Sequence, residues 1–192
     1  MKIGVLALQG AFLEHRKKLE RLGVEVVEVR LPQDLEGLDG LIIPGGESTT
    51  IGKLAVEYGL VEPLKEFARE KPVWGTCAGM IFMARDIGMR QPLLGLMDIT
   101  VRRNAFGRQV DSFETELPVE GLNGDGPFPA IFIRAPVIAS VDDDKVQVLA
   151  RLADGTPVAA REGHWLVTSF HPELSGDDRL HRYFIDLVRN ER

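Results

Sequence analysis

Three short stretches of this chain combine reactive residue types with spacings that let them meet. The first is Gly75-Thr76-Cys77-Ala78-Gly79, which follows the apolar pair Val73-Trp74 and runs into Met80-Ile81-Phe82-Met83. It has the form of a nucleophile elbow, in which a strand turns sharply into a helix and the middle side chain projects from the sheet edge. The flanking glycines allow the close approach and strained torsions of such a turn. A thiol at a helix N-terminus has its anion favoured by the helix dipole, and the amide of Ala78 points to where an oxyanion would form. Taken alone, the pattern also fits a glycine-rich turn around a buried thiol.

The second stretch is His171-Pro172-Glu173. A thiol nucleophile needs a base to take its proton and later return one to the leaving amine, and that base needs a carboxylate on its other ring nitrogen. Residues i and i+2 of an extended segment face the same side, and Pro172 keeps the backbone extended, so Glu173 can reach His171. His15, His164 and His181 lack such a partner in sequence and read as strand-end or helix-surface residues. The third stretch, Gly45-Gly46-Glu47-Ser48, can offer unhindered backbone N–H groups to the other side of the same oxyanion. A phosphate-binding loop is its rival reading, but five residues rather than four separate Gly46 from Gly52, and Leu54 follows Lys53 where Ser or Thr is needed. Asp142-Asp143-Asp144 lacks the spaced oxygen ligands of a calcium loop and reads as a solvated turn. Arg102-Arg103-Asn104 and Ile133-Arg134 lie near strand ends, where arginines can hold a substrate carboxylate bidentately or can be plain surface charge.

Positioning these groups requires an open α/β sheet, whose ligands collect at the carboxyl ends of the strands. The first half alternates accordingly. Ile3 to Leu8 is an apolar run ending in Gln9-Gly10. Ala11 to Leu22 places Phe12, His15, Leu19 and Leu22 on one helical face, Gly23 stops it, and Val24 to Val29 resumes strand character. Leu41-Ile42-Ile43 leads into Pro44-Gly45-Gly46, Ser48 can cap a helix to about Tyr58, Val61 to Glu70 makes another, and Met80 to Asp86 is helical after Pro72 to Thr76. The second half holds short strand candidates at Leu96 to Arg102, Asp111 to Leu117, Ala130 to Ile133, Val137 to Val141, Val146 to Ala150, Pro157 to Arg161 and Trp165 to Phe170. They predict a partly antiparallel extension of the same sheet, closed by a helix from about Asp177 to Arg189.

Composition narrows the class. At 192 residues with 44% hydrophobic and 27% charged residues, one globular domain over 1–192 is expected, without room for a large fused partner. A formal net charge of −6 argues against a general nucleic-acid binder, and one cysteine excludes an intramolecular disulfide or a Cys-rich metal scaffold. No metal site is expected. The apolar start ends too early, at Gln9-Gly10, for a signal peptide, and no run approaches a membrane span, so a cytoplasmic protein is expected, with no membrane association.

Together the elbow, the Ser169-Phe170-His171-Pro172-Glu173 segment and Pro44-Gly45-Gly46-Glu47-Ser48-Thr49-Thr50 resemble the class I, triad-type glutamine amidotransferases. Within that class, Ala7-Leu8-Gln9-Gly10-Ala11, the run from Arg103 to Phe113 and Phe132-Ile133-Arg134-Ala135-Pro136 resemble the glutaminase subunits of the ribose-5-phosphate-dependent pyridoxal 5′-phosphate synthases. The resemblance runs from Ile3 to the last helix. It implies a flavodoxin-like, three-layer fold with a mainly parallel central sheet. It also implies Cys77 as nucleophile with His171 and Glu173, oxyanion amides at Gly46 and Ala78, and glutamine contacts from Gly46, Glu47, Ser48, Arg103, Ile133 and Arg134. The implied partner is a (β/α)8-barrel synthase subunit, in a large complex built on a synthase dodecamer, that uses the ammonia; no bound cofactor is implied for this chain. Gln9 and Gly10, at the same sheet edge, are the candidates for coupling to that partner. Two other readings fit the residues less well. Other flavodoxin-like cysteine hydrolases typically carry His directly after the elbow cysteine, where Ala78 stands, and a non-catalytic assembly subunit would have no need of Cys77, His171 and Glu173 together.

Overall fold

A computed structural model describes residues 1–104, 106 and 112–191. Among these, five parallel strands form the centre: β1 (Lys2–Leu6), β2 (Glu25–Val29), β3 (Gly40–Ile43), β4 (Val73–Thr76) and, far along the chain, β12 (Trp165–Thr168). Their spatial order is β2-β1-β3-β4-β12, which is the doubly wound flavodoxin-like order. Two antiparallel strands, β11 (Pro157–Glu162) and β10 (Gln147–Arg151), extend the β12 edge.

The strands read as unbroken apolar runs because both faces of the sheet are covered. Successive residues of β3 alternate between two cores. Leu41 and Ile43 pack with α2 (Ser48–Glu57), α3 (Val61–Glu70) and α4 (Ala78–Met83), while Ile42 packs with α1 (Phe12–Arg21) and α5 (Arg179–Asn190). The remaining strands form two small sheets, one on each face. β5 (Ala84–Asp86), β6 (Met97–Arg102) and β9 (Val137–Val141) lie on the first, and β7 (Ser112–Leu117) with β8 (Phe128–Ile133) on the second. Phe132 of β8 stacks on Phe113 at 4.6 Å and packs on Phe170 at 5.4 Å, anchoring the segment that leads into His171. No helix among the described residues is long and apolar enough to cross a membrane.

The α/β layering and the antiparallel extension agree with the sequence reading, with three corrections. Of the second-half strands, β12 joins the central sheet in parallel and only β10 and β11 extend it antiparallel; β6, β7, β8 and β9 leave it for the two small sheets. The helix expected over Met80 to Asp86 ends at Met83. The carbonyls of Phe82 and Met83 accept from Leu94 N–H at 2.8 Å and Leu96 N–H at 2.9 Å, and Ala84 becomes extended and pairs with Met97. Ser48 is not the cap of α2 but its first residue; the Glu47 carboxylate is the cap, accepting from the N–H groups of Thr49 at 3.1 Å and Thr50 at 2.7 Å. Asp111, the expected start of β7, and Ala105 and residues 107–110 of the Arg103-to-Phe113 run lie outside the described residues.

Candidate active site

The elbow forms because β4 and α4 meet with no loop between them. Cys77 takes φ 51° and ψ −107°, its N–H bonds Thr168 O of the adjacent β12 at 2.8 Å, and Ala78 begins the helix. The first amides of a helix have no intrahelical acceptor, so the Ala78 N–H is a donor built into the turn. Gly79 is required for the tightness of the turn, since a Cβ there would lie 2.0 Å from Ile43 O. The strand pairing that holds β12 beside β4 also carries the chain, three residues on from Thr168, to His171, whose N–H bonds Ile131 O of β8 at 2.8 Å.

His171 Nδ1 lies 2.5 Å from Glu173 Oε1, and its ring also bonds the side chain of Cys77. Burial alone would lower the imidazole pKa, but the hydrogen bonds to Cys77 and Glu173 and the charges on them outweigh it and raise it to about 10. Burial would likewise raise the Glu173 carboxyl, yet the influence of His15 and the bond from His171 hold it below the ordinary value. The result is a buried sulfur, imidazole and carboxylate in series, with His171 positively charged at neutral pH.

In front of Cys77 and His171 opens a cleft of about 580 Å³ lined by Gln9, Gly46, Glu47, Ser48, Ala78, Arg103, Ile133 and Arg134, among others. It sits at the carboxyl ends of β1, β3, β4 and β12, where the strand order reverses. Two loops meet at its rim. Gln9 Oε1 accepts from Glu47 N–H at 2.7 Å and Gly45 O accepts from Ala11 N–H at 2.9 Å. Gly10, at φ 95°, comes so near that a Cβ would fall 1.9 Å from Gly45 O. Glu47 is lowered to about 2, chiefly by the Thr50 hydroxyl at 2.6 Å, against a smaller penalty from burial. Arg103 reaches Glu47 Oε1 at 3.5 Å and Gln91 Oε1 at 3.1 Å, and Gln91 in turn bonds Ser48 Oγ at 3.3 Å.

The candidate residues Gln9, Gly46, Glu47, Ser48, Cys77, Ala78, Arg103, Ile133, Arg134 and His171 all line this cleft. Glu173 lies behind His171, and Gly10 abuts Gly45 without lining the cleft. The sequence reading missed Asn104 and Arg134 as strained positions, at φ 48° and 44°. With Cys77 they are the non-glycine residues of positive φ among the described ones, and all three line the cleft. It also misplaced His15 and His181. Neither is at a helix surface; both are fully buried beneath Thr76 and Trp74. The signal was present, because His15 shares a face with Phe12 and Leu19, and His181 with Phe184, Ile185 and Val188.

The sequence profile of the SNO glutamine amidotransferase family matches residues 5–190. The chain belongs to this family. A pyridoxal 5′-phosphate synthase subunit PdxT of Dehalococcoides mccartyi is 59% identical, over 99% of this chain and 98% of its own. A protein of the same description from Herpetosiphon aurantiacus is 59% identical, over 97% of this chain and 100% of its own. A crystal structure of a glutamine amidotransferase superposes with a TM-score of 0.91 at 54% identity, covering 97% of this chain and 98% of that one. A putative GMP synthase subunit from Thermoplasma acidophilum shares the fold at a TM-score of 0.70 and 20% identity. The family membership and the resemblance to synthase glutaminase subunits that the motifs carry are thus both borne out.

Proposed function

We propose that this chain is the glutaminase subunit of a pyridoxal 5′-phosphate synthase, hydrolysing L-glutamine to L-glutamate and ammonia for use by a synthase partner. The series Cys77–His171–Glu173 at the floor of the cleft is the observation that carries the chemistry. Cys77 Sγ attacks the side-chain amide carbon of glutamine, and the oxyanion is taken by the amides of Gly46 and Ala78. His171, charged at neutral pH, gives its proton to the departing ammonia. Water, deprotonated by the now neutral His171, then cleaves the γ-glutamyl thioester, which releases glutamate and the Cys77 sulfur and leaves His171 charged again for the next turnover. Glu173 holds the imidazole with Nδ1–H outward to the carboxylate, which leaves Nε2 for the reaction.

Around the reacting amide, Glu47, Ser48, Arg103, Ile133 and Arg134 provide the walls that bind glutamine. Arg103 directs donors to Glu47 and Gln91, so its first effect is to hold the Glu47–Ser48 wall in shape. Residues 1–192 act as one cytoplasmic glutaminase domain docked on a (β/α)8-barrel subunit of a synthase dodecamer. Gln9 and Gly10 transmit docking to the oxyanion loop through the bond to Glu47 N–H and the contact with Gly45.

The test measures glutamate release from glutamine by the chain mixed with its synthase partner, for wild type and Cys77→Ala. The variant is expected to release none, and equal rates would overturn the mechanism. An alkylating glutamine analogue should add to Cys77 by mass spectrometry; labelling that spares it would count equally against the reading.

A further inference from the structure

Behind the triad, between the central sheet and the helices α1 and α5, a second polar chain crosses the core. His15 Nε2 stands 3.4 Å from Glu173 Oε2 and 3.2 Å from Thr76 Oγ1, while His15 Nδ1 stands 2.9 Å from His181 Nε2. His15 and His181 are fully buried, and Trp74 meets both rings edge-on, at 5.8 Å and 4.8 Å between centroids. Glu173 uses Oε1 for His171; among the described residues its Oε2 has no donor within ordinary hydrogen-bond limits, and His15 Nε2 stands just beyond them at 3.4 Å.

Proton placement follows by elimination. One hydrogen lies between His15 Nδ1 and His181 Nε2. If it belonged to His15, a bare Nε2 lone pair would face the Glu173 carboxylate, and His181 would carry its own hydrogen on Nδ1, which has no partner. A buried orphan N–H and a lone pair against an anion both cost more than a buried orphan lone pair. The hydrogen therefore belongs to His181, and His15 presents Nε2–H to Glu173 and Thr76. Burial keeps both rings neutral, lowering each pKa to about 3, as this arrangement requires. The 3.4 Å separation is a few tenths of an ångström beyond a formed bond. Catalytic hydrogen bonds commonly close by such amounts when substrate binds.

We propose that His15 is a positioning residue: its Nε2–H fixes the second carboxylate oxygen of Glu173, and through that carboxylate the plane and tautomer of His171. The proposal rests on the glutaminase reading above. Without His15, Glu173 keeps its charge but is free to turn about its last bond, and the Glu173–His171 bond loses its direction. Because His15 does not line the cleft, the effect falls on turnover and not on glutamine binding.

His15→Gln and His15→Asn, each in complex with the synthase partner, separate this role from simple packing. The glutamine amide reaches the place of Nε2 and can donate to Glu173; the asparagine amide reaches only the place of Nδ1 and keeps the bond from His181. His15→Asn is expected to lower kcat by about tenfold to a hundredfold with KM within about twofold, the range for loss of a hydrogen-bond partner one step behind an active-site group. His15→Gln is expected to stay within about threefold of wild type. Equal kcat for the two variants, a loss carried by KM, or failure of both to fold by thermal melting would overturn the role of His15 while leaving the glutaminase reading intact. A wild-type complex that releases no glutamate would instead overturn the function on which it rests.

Discussion

Gly45 stands between the two reacting side chains, and replacing it with alanine tests the site where its tolerance is smallest. A Cβ at this position would lie 2.6 Å from His171 Cε1, 3.2 Å from His171 Nδ1 and 3.3 Å from Cys77 Cβ. Carbon atoms rest about 3.5–4.0 Å apart, so the imidazole must retreat by about 1 Å. It has little freedom to do so harmlessly, because its backbone N–H bonds Ile131 O at 2.8 Å and its Nδ1 is held by Glu173 at 2.5 Å. Gly45 does not occupy the left-handed backbone region, so alanine adds no torsional strain there. Overpacking of this kind costs about 1–3 kcal/mol of stability. A displacement of about 1 Å in a catalytic group costs about a hundredfold in rate, or about 3 kcal/mol in the barrier. Glutamate release by the Gly45→Ala complex, followed across glutamine concentrations, should therefore show kcat down about a hundredfold while melting shows a folded protein. A folded variant within about threefold of the wild-type kcat would refute the argument that Gly45 is kept bare to let His171 approach Cys77.

Acid should unfold this protein earlier than its carboxylates alone would dictate. His15 and His181 are held near pKa 3 by burial, against 6.5 in an unfolded chain. Between those values the unfolded chain binds more protons, so their contribution is complete above pH 6.5 and shrinks as pH falls toward 3, by nearly 3 kcal/mol per pH unit for the pair at most. Urea titrations at about pH 7, 6 and 5 measure this slope, and equal stabilities at the two extremes would contradict it. Gln9→Ala removes the acceptor of the Glu47 N–H and should lower partner-stimulated hydrolysis by about fivefold to tenfold, the worth of one hydrogen bond. An unchanged stimulated rate would remove Gln9 from the coupling.

The sequence carries the cleft unevenly. Cys77, His171 and Glu173 are legible because each sits in a short motif whose geometry is local: an elbow between two glycines, and an extended i, i+2 pair. That they meet depends on β12 lying beside β4, which only the long-range strand order decides. The parallel half is legible because buried strands and amphipathic helices alternate with clear periods, and α3 falls at Val61–Glu70 as its pattern predicts. Strand partners in the second half are not legible, since a short alternating run says which face is apolar but not which sheet it joins. The end of α4 at Met83 is hidden for a related reason: its carbonyls are claimed by Leu94 and Leu96, which no local pattern announces. His15 and His181 show the opposite failure. Their helical faces were legible, but a polar residue type outweighed a position that the apolar period had already assigned to the interior.

The three strained positions, Cys77, Asn104 and Arg134, have a consequence for adaptation to heat. Glycine at 104 or 134 would relieve a left-handed backbone that costs an ordinary side chain about 1 kcal/mol or more. A lineage selected for thermal endurance alone would therefore find two of its easiest gains in the wall of the cleft, where each gain strips away a side chain that faces the substrate space. Endurance and turnover compete at those two addresses, and Arg134→Gly, which gives up a guanidinium as well as strain, is the harsher exchange of the two.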